Sequence, residues 1–293
     1  MAGFGLSVAL ATPFKSSGAI ATDVMLAQAK RCLASGCESI TLFGTTGEGA
    51  SVGTQERERI IDAFLAAGIK PSQIVVGVLV DAAEDAAHQM GQALAKGVRN
   101  ILLAPPSYFK NVADDGLYAW YADVFAQVGD KARDVLVYNI PSVTMVALSI
   151  ELIGRLRSAF PSIVTGVKDS SGDWPYTEVL LRQHGDLIIL IGDERHLAKG
   201  VRLGGQGAIS GMANFAPLEV RAMAVDGKDD IRVERFVAEL LKHPVTPAVK
   251  VMVATMTGDE TWLAVRPPLT SISADGRREL AAAFDSLFQT KAA

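Results

Sequence analysis

The chain has few residues of the types that metal sites and disulfide frameworks need. Among its 293 residues there are two cysteines and four histidines. Cys32 and Cys37 lie five positions apart, and no second Cys/His cluster completes a metal site, so we expect two buried free thiols. Free thiols are typical of a reducing compartment, which predicts a cytoplasmic protein.

Long apolar runs and blocks of basic residues are also missing. Charged residues, Gly or Pro interrupt every apolar run before it reaches the length of a membrane span. An apolar stretch near the N-terminus has no basic segment before it, which argues against a secretory signal. The formal net charge is −4 and no Lys/Arg block is present, so neither nucleic acid nor a membrane is expected as the main partner.

Eight short apolar segments, each typical of a buried strand, recur along the first two thirds of the chain. Helix-like segments with acidic first turns lie between them. This alternation predicts a (β/α)8 TIM barrel. A doubly wound sheet is the alternative, but no G-x-G-x-x-G follows the first strand. The strands are expected to end near Leu10, Phe43, Val80, Ala104, Tyr138, Lys168, Gly192 and Ser210.

The pattern changes after about residue 215, where four helix-like segments follow one another without strands between them. We therefore expect residues 1–220 to form the barrel that carries the active site, and residues 221–293 to form a C-terminal helical extension. No flexible linker separates the two parts, so the extension is expected to pack on the barrel.

Lys168 ends the apolar segment 163–167. Burying an amine without a partner is costly, so there are two interpretations. Either the strand ends and the ammonium group reaches water, or the desolvated amine becomes neutral and acts as a nucleophile. Catalytic side chains of TIM barrels project from the C-terminal ends of the strands, so the position of Lys168 fits either interpretation.

Further polar residues fall at the same rim. The loop 44–49, GTTGEG, fits an anion-binding backbone or a tight turn in which a threonine caps the next helix. Tyr138 fits a packing residue or a proton shuttle. The glycine-rich segment 203–217 fits a phosphate site or a wall around a small polar ligand. Asp193 and Glu194 are expected to play a structural role by pairing with Arg195 or Lys199.

Together these segments resemble the dihydrodipicolinate synthase / N-acetylneuraminate lyase family of class I, Schiff-base aldolases. The resemblance covers essentially the whole chain and implies an enzyme without a metal or other cofactor. The matching segments are ALATPF (9–14), GTTGEG (44–49), YNIP (138–141), GVKDSSGD (166–173), GDE (192–194), GAIS (207–210) and RPPL (266–269).

The resemblance implies a role for each rim residue. Lys168 forms an imine with the keto carbon of pyruvate or another 2-oxo acid. Thr45 and Thr46 hold the carboxylate, and Tyr138 relays protons. Thr46 links Tyr138 to a second tyrosine from a neighbouring subunit, while Gly192 and Ile209 line the pocket.

The second tyrosine best matches Tyr108, with a one-residue ambiguity that leaves Phe109 open. The family forms dimers on this contact, commonly paired into tetramers, so a homo-oligomer is expected. Tyr108 and Phe109 are aromatic residues of the kind enriched at protein interfaces. The alternative is a loop folded over the mouth of its own barrel.

Two departures from the family pattern bear on the substrate. Val143 stands where the synthase has an arginine that binds the second carboxylate, and Met145 replaces a glycine. The missing arginine argues against synthase activity, and the segment KDSSGD (168–173) resembles family members that act on hydroxylated 2-oxo acids. This resemblance implies a lyase or aldolase of the 2-keto-3-deoxy sugar acid or 4-hydroxy-2-oxoglutarate type. The alternatives are 4-hydroxy-tetrahydrodipicolinate (dihydrodipicolinate) synthase, a dehydratase using the same imine, or a 2-oxo-acid-binding regulatory protein.

Overall fold

The computed structural model describes residues 3–288, which form a closed barrel of eight parallel strands. Neighbours in the barrel are neighbours in the chain, and the last strand pairs with the first. The predicted TIM barrel is confirmed, and each strand ends within two residues of its expected position. The strands are β1 (Gly5–Ala9), β2 (Ser39–Leu42), β3 (Ile74–Val78), β4 (Asn100–Leu103), β5 (Val135–Asn139), β6 (Val164–Asp169), β7 (Ile188–Ile191) and β8 (Gly207–Ser210).

At least one helix follows each strand and covers the outside of the barrel. These helices are α1 (Thr22–Ala34), α2 (Thr54–Ala66), α3 (Ala83–Ala95), α4 (Asp114–Val128), α5 (Pro141–Thr144), α6 (Ile150–Ala159), α7 (Trp174–His184), α8 (Glu194–Arg202) and α9 (Pro217–Asp226). Three of them begin with a side-chain cap from Ser149, Asp173 or Asp193. Each cap accepts a hydrogen bond from a backbone N–H that would otherwise lack an intrahelical partner.

The apolar side chains of the strands form two layers, because successive residues of a strand point to opposite faces. Val135 and Val137 pack outward against the helices. Leu136 and Tyr138 point into the barrel and join a second cluster there. The barrel interior is therefore packed mainly with apolar side chains, although the inward-facing hydroxyls of Ser7 and Thr41 form a buried hydrogen bond there.

Three further helices follow the barrel: α10 (Ile231–Leu240), α11 (Val245–Thr257) and α12 (Ala274–Phe288). α10 contacts α8, and α11 contacts the short turn Met212–Asn214 that follows β8. Rings of Phe215, Phe236 and Phe284 meet edge to face between the extension and the barrel.

The division of the chain at residue 220 stays a prediction, and α9 spans that position. The predicted extension, residues 221–293, includes residues 289–293, which lie outside the described residues.

The glycine-rich segment before β8 closes the barrel at the end opposite the catalytic rim. A Cβ at Gly207 would lie 1.9 Å from the carbonyl oxygen of Gly5, and Gly207 has a φ of 134°. Only glycine permits this approach of β8 to β1. Gly204, Gly205 and Gly207 therefore do not form a phosphate site at the rim, whereas Ile209 and Gly211 line the cavity there.

Candidate active site

Lys168 and Tyr138 are cross-strand partners at the C-terminal rim of the barrel. Their Cα atoms are paired in the register of β5 and β6, so both side chains point inward at the same height. Lys168 is 6 % exposed and Tyr138 is 2 % exposed. The Lys168 amine lies 3.2 Å from the Tyr138 hydroxyl and 4.4 Å from the centroid of its ring. The amine therefore ends in a buried pocket beside a proton donor rather than in bulk water.

Thr45 is the threonine that contacts Tyr138. Its Oγ1 lies 3.3 Å from the Tyr138 hydroxyl, and either oxygen can donate. The resemblance implied that Thr46 contacts Tyr138, whereas the observed contact involves its neighbour Thr45. Thr46 is buried, and its Oγ1 lies close to Gly211 at the end of β8. The lysine, the tyrosine and one threonine thus form a continuous chain of polar contacts.

A cavity of about 360 Å³ opens above these residues. Its volume is within the range of pockets for small molecules. Residues from the rim and from α10 and α11 line it, including Thr45, Thr46, Tyr138, Lys168, Gly192 and Ile209. The sequence predicted six catalytic or binding residues within one subunit. Lys168 is one of them, and the other five line the same cavity as its side chain.

Gly192 is required by the packing of the rim. Its N–H donates to the carbonyl of Asp169 at 2.7 Å. A Cβ added at Gly192 would lie 2.0 Å from the Ser170 hydroxyl oxygen. The missing side chain therefore allows the loops after β6 and β7 to meet at the edge of the cavity.

Asp193 has the structural role expected of it. Its side chain accepts hydrogen bonds from the N–H of Arg195 and from the Arg195 guanidinium, at 3.0 Å and 2.6 Å. Burial opposes ionisation, but these hydrogen bonds hold the pKa of Asp193 below its ordinary value. The residue therefore begins α8 as a charged cap with its own counter-ion.

Glu194 differs from the prediction that it pairs with Arg195 or Lys199. Its side chain lines the cavity and accepts a hydrogen bond from the Ser210 hydroxyl at 2.6 Å. Burial raises the pKa of Glu194, and the charges of Asp193 (raising) and Lys168 (lowering) also act on it. A carboxyl group with a raised pKa that faces a cavity is a candidate for contact with substrate. Its position at the end of a strand was the only sequence signal for this role.

Tyr108 is not brought to the cavity of its own chain. It is 77 % exposed, and its ring meets the equally exposed Phe109 at a centroid distance of 5.3 Å. Asp81 holds this loop in place, because its carboxylate accepts hydrogen bonds from the N–H groups of Ser107 and Tyr108. The loop is thus held with both aromatic rings exposed to solvent.

Of the two departures from the family pattern, one lines the cavity. Val143 lines it and is 58 % exposed. Met145 has a φ of 55°, in the left-handed region that favours glycine. The backbone therefore has a conformation suited to glycine although the residue is methionine, which stores a strain of about 1 kcal/mol or more.

Within residues 3–288, no group of three or more His, Cys, Asp or Glu side chains could hold a metal ion. No helix in the same range has both the length and the apolar character needed to cross a bilayer. A buried amine beside a phenol at the rim of a TIM barrel is suited to nucleophilic catalysis on a carbonyl carbon.

Comparison with known proteins agrees with this arrangement. Residues 3–287 match the model of the dihydrodipicolinate synthetase family. A crystal structure of dihydrodipicolinate synthase from Agrobacterium tumefaciens is 67 % identical, with a TM-score of 0.97, over 98 % of this chain and 100 % of that one. An uncharacterized DapA-like lyase from Chloroflexus aurantiacus is 30 % identical over 97 % of this chain and 96 % of its own length. The 4-hydroxy-tetrahydrodipicolinate synthase of Hyphomonas neptunium is 31 % identical over 75 % of this chain and 74 % of its own.

The chain is a TIM-barrel lyase, and it belongs to the dihydrodipicolinate synthetase family. Members of this family are class I lyases and aldolases that act through a Schiff base. The chain is accordingly an enzyme of that class.

Proposed function

We propose that the chain cleaves or forms a C–C bond of a hydroxylated 2-oxo acid, with pyruvate as product or donor, through an imine on Lys168. The observation that carries this proposal is the buried Lys168 amine, which lies 3.2 Å from the Tyr138 hydroxyl in the cavity at the rim of the barrel. An amine held at this position can attack the keto carbon of a 2-oxo acid bound in the cavity.

In the cleavage direction, the neutral Lys168 amine attacks the C2 keto carbon and water leaves, which gives a protonated imine. A proton is then removed from the hydroxyl on C4 and the C3–C4 bond breaks. Its electron pair moves toward the imine nitrogen, so the products are an aldehyde and an enamine. Protonation at C3 and addition of water release pyruvate and the free amine. Tyr138 moves the protons, because its hydroxyl is within hydrogen-bond distance of the reacting nitrogen.

Thr45 and Thr46 hold the substrate carboxylate in this proposal. Both line the cavity next to Lys168. The loop that carries them brings several backbone N–H groups and two hydroxyls to one place, and such groups can bind an anion without a basic side chain. A carboxylate held there leaves the adjacent keto carbon facing the amine.

The rest of the rim supports a hydroxylated substrate. Ser142, Ser170, Ser171 and Glu194 line the cavity beyond Lys168, and they offer hydroxyl and carboxyl groups for hydrogen bonds to sugar-acid hydroxyls. Val143 offers no guanidinium for a second carboxylate.

A second candidate is condensation of pyruvate with aspartate semialdehyde. It is favoured by one observation, that the 67 % identical protein from Agrobacterium tumefaciens is described as dihydrodipicolinate synthase. Pyruvate release from a panel of 3-deoxy-2-oxo acids, compared with turnover of the semialdehyde, separates the two candidates. Release of water with retention of all carbon atoms would instead identify a dehydratase.

Trapping with borohydride tests the imine directly. Incubation with pyruvate and borohydride is expected to add one reduced pyruvyl mass to the peptide that carries Lys168. Lys168→Met should abolish the label, whereas Lys199→Met should retain it, because Lys199 packs on the Trp174 ring at 3.9 Å. Label on another residue refutes the imine role, and pyruvate bound without label or turnover would favour a 2-oxo-acid-binding protein.

The proposal includes a cytoplasmic homodimer, paired into a homotetramer, in which Tyr108 of one protomer completes the site of its partner. The exposure of Tyr108 and Phe109 supports this, as does a second cavity of about 270 Å³ that borders Thr45. That cavity has room for an aromatic side chain next to the proton relay. The two unpaired cysteines fit a reducing compartment.

Mixing two inactive variants tests the shared site. Tyr108→Phe and Lys168→Ala chains are each expected to be slow or inactive alone. Hybrid dimers should regain activity, because one of their two composite sites has both groups. Hybrids that are confirmed by native mass spectrometry and show no recovery would contradict sharing of Tyr108, and the same mixing with Phe109→Leu resolves the remaining ambiguity of one residue.

A further inference from the structure

Two side chains of helix α11, neither of them in the catalytic set, contact the loop 44–49. The Thr246 hydroxyl donates to the carbonyl oxygen of Thr45 at 3.1 Å. The Lys250 amine donates to Glu48 at 2.6 Å. Thr246 and Lys250 are four residues apart and therefore share one face of the helix. The extension thus holds the loop at its second and its fifth residue.

The pair formed by Glu48 and Lys250 is fully buried, with both side chains at 0 % exposure. The second Glu48 oxygen accepts the N–H of Arg266 at 3.0 Å. Lys250 also donates to the carbonyl of Ala264 and lies 4.5 Å from the centroid of the Phe14 ring. Burial lowers the pKa of Lys250, and Glu48 opposes this effect.

A buried ion pair is a weak source of net stability, because desolvation offsets most of the attraction between its charges. The position of the pair is therefore more informative than its energy. It fixes the end of the loop 44–49 against the extension, and this loop presents the two cavity-lining threonines.

The loop needs such support, because its backbone is strained. Phe43 and Glu48 have φ values of 59° and 52°, although neither is glycine. A Cβ at Gly49 would lie 1.8 Å from the Phe43 carbonyl oxygen, so the two ends of the loop are in close contact. Residues in such conformations persist only when the surrounding structure holds them there.

We propose that Thr246 and Lys250 are positioning residues that hold this loop in the shape in which Thr45 and Thr46 bind a carboxylate. The inference rests on the proposed function, since it assigns the carboxylate of a 2-oxo acid to those threonines. It makes the C-terminal extension part of the active site. Release of the loop weakens binding of pyruvate, while the Lys168 amine stays in place to form the imine.

The readout is the pyruvate concentration that gives half-maximal borohydride trapping on Lys168, measured together with the melting temperature. Thr246→Val is expected to raise this concentration about two- to tenfold, the range that corresponds to one net hydrogen bond. Thr246→Ser should restore the wild-type value. Thr255→Val is the matched control, because it removes the hydrogen bond to the Val251 carbonyl further along the same helix and should leave the concentration unchanged.

Thr246 also lines the cavity, so a second variant tests whether its effect is transmitted through the loop. Glu48→Gln combined with Lys250→Met removes both buried charges together, which a fold tolerates better than loss of one. Neither residue lines the cavity above Lys168. The double variant should also raise the pyruvate concentration that gives half-maximal trapping. Its maximal labelling of Lys168 should equal that of the wild type.

The possible outcomes are distinct. If Thr246→Val has no effect, the positioning role is refuted. The role is also refuted if the double variant folds and binds pyruvate like the wild type. Any effect of Thr246→Val would then come from direct contact of Thr246 with the ligand rather than from the loop. Absence of label in the wild-type enzyme would instead refute the proposed imine, independently of α11.

Discussion

Tyr138→Phe separates the chemical role of the hydroxyl from the packing role of the ring. The hydroxyl has two hydrogen bonds, at 3.2 Å to Lys168 and 3.3 Å to Thr45. The ring is buried in the barrel and lies 4.4 Å from the Lys168 amine. Phenylalanine keeps the ring and its contact with the amine, so the substitution removes the oxygen alone.

The two expected effects differ strongly in size. Both hydrogen bonds are long, so their loss should lower the free energy of unfolding by about 1 kcal/mol and the melting temperature by about 2–4 °C. A positioned proton donor contributes about 10²–10⁴-fold to a rate, which corresponds to about 3–5 kcal/mol of the barrier. Turnover should therefore fall at least a hundredfold in a protein that remains folded.

Pyruvate release, coupled to lactate dehydrogenase, measures turnover, and thermal unfolding measures stability. Tyr121→Phe is the matched control. Tyr121 is fully buried, and its hydroxyl has no hydrogen-bond partner within the part of the chain that the structure describes. This control should keep wild-type turnover and lose no stability. A Tyr138→Phe enzyme within tenfold of the wild-type rate would refute the assignment of proton transfer to Tyr138.

Three further substitutions test other parts of the site and its surroundings. Val143→Arg places a guanidinium at an exposed position of the cavity wall and should raise turnover of aspartate semialdehyde at least tenfold; no gain would contradict the argument from this position. Because burial raises the pKa of Glu194, the profile of kcat/KM against pH should show an inflection above the usual carboxyl value of about 4.3. Glu194→Gln should remove this inflection, and an unchanged profile would show that the carboxyl does not act. Hydrogen bonds from Arg266 lower the pKa of Glu56, so its stabilising contribution is complete above the unfolded pKa of about 4.3 and is lost as the pH falls through the lower folded value. The melting temperature of Glu56→Gln should lie below that of the wild type at pH 7 and approach it in acid, and a gap that does not depend on pH would contradict this.

The barrel and the place of Lys168 could be predicted from the sequence because both depend on local patterns. Short apolar segments that alternate with helices determine parallel strands, and closure of a parallel barrel brings all their C-terminal ends together. A lysine at the end of one strand and a tyrosine at the end of the preceding strand must then lie at the same rim. The structure adds the register, in which Lys168 is the direct partner of Tyr138.

The contacts within the rim could not be predicted in the same way. Thr45 and Thr46 are adjacent in a strained loop, and the backbone conformation decides which hydroxyl faces Tyr138. Glu194 was expected to contact nearby basic residues, but β8 places the Ser210 hydroxyl beside it. Each of these outcomes depends on the orientation of a side chain, which residue type alone does not fix.

The sequence by itself determined the fold and the set of reactive groups, since hydrophobic periodicity and strand-end positions are properties of short segments. Only the tertiary structure decided which of these groups meet. Lys250 contacts Glu48 across 202 positions of the chain, and Tyr108 is exposed to solvent and does not line the cavity above Lys168. Such contacts depend on how helices and loops pack around the completed barrel, and no local pattern encodes that packing.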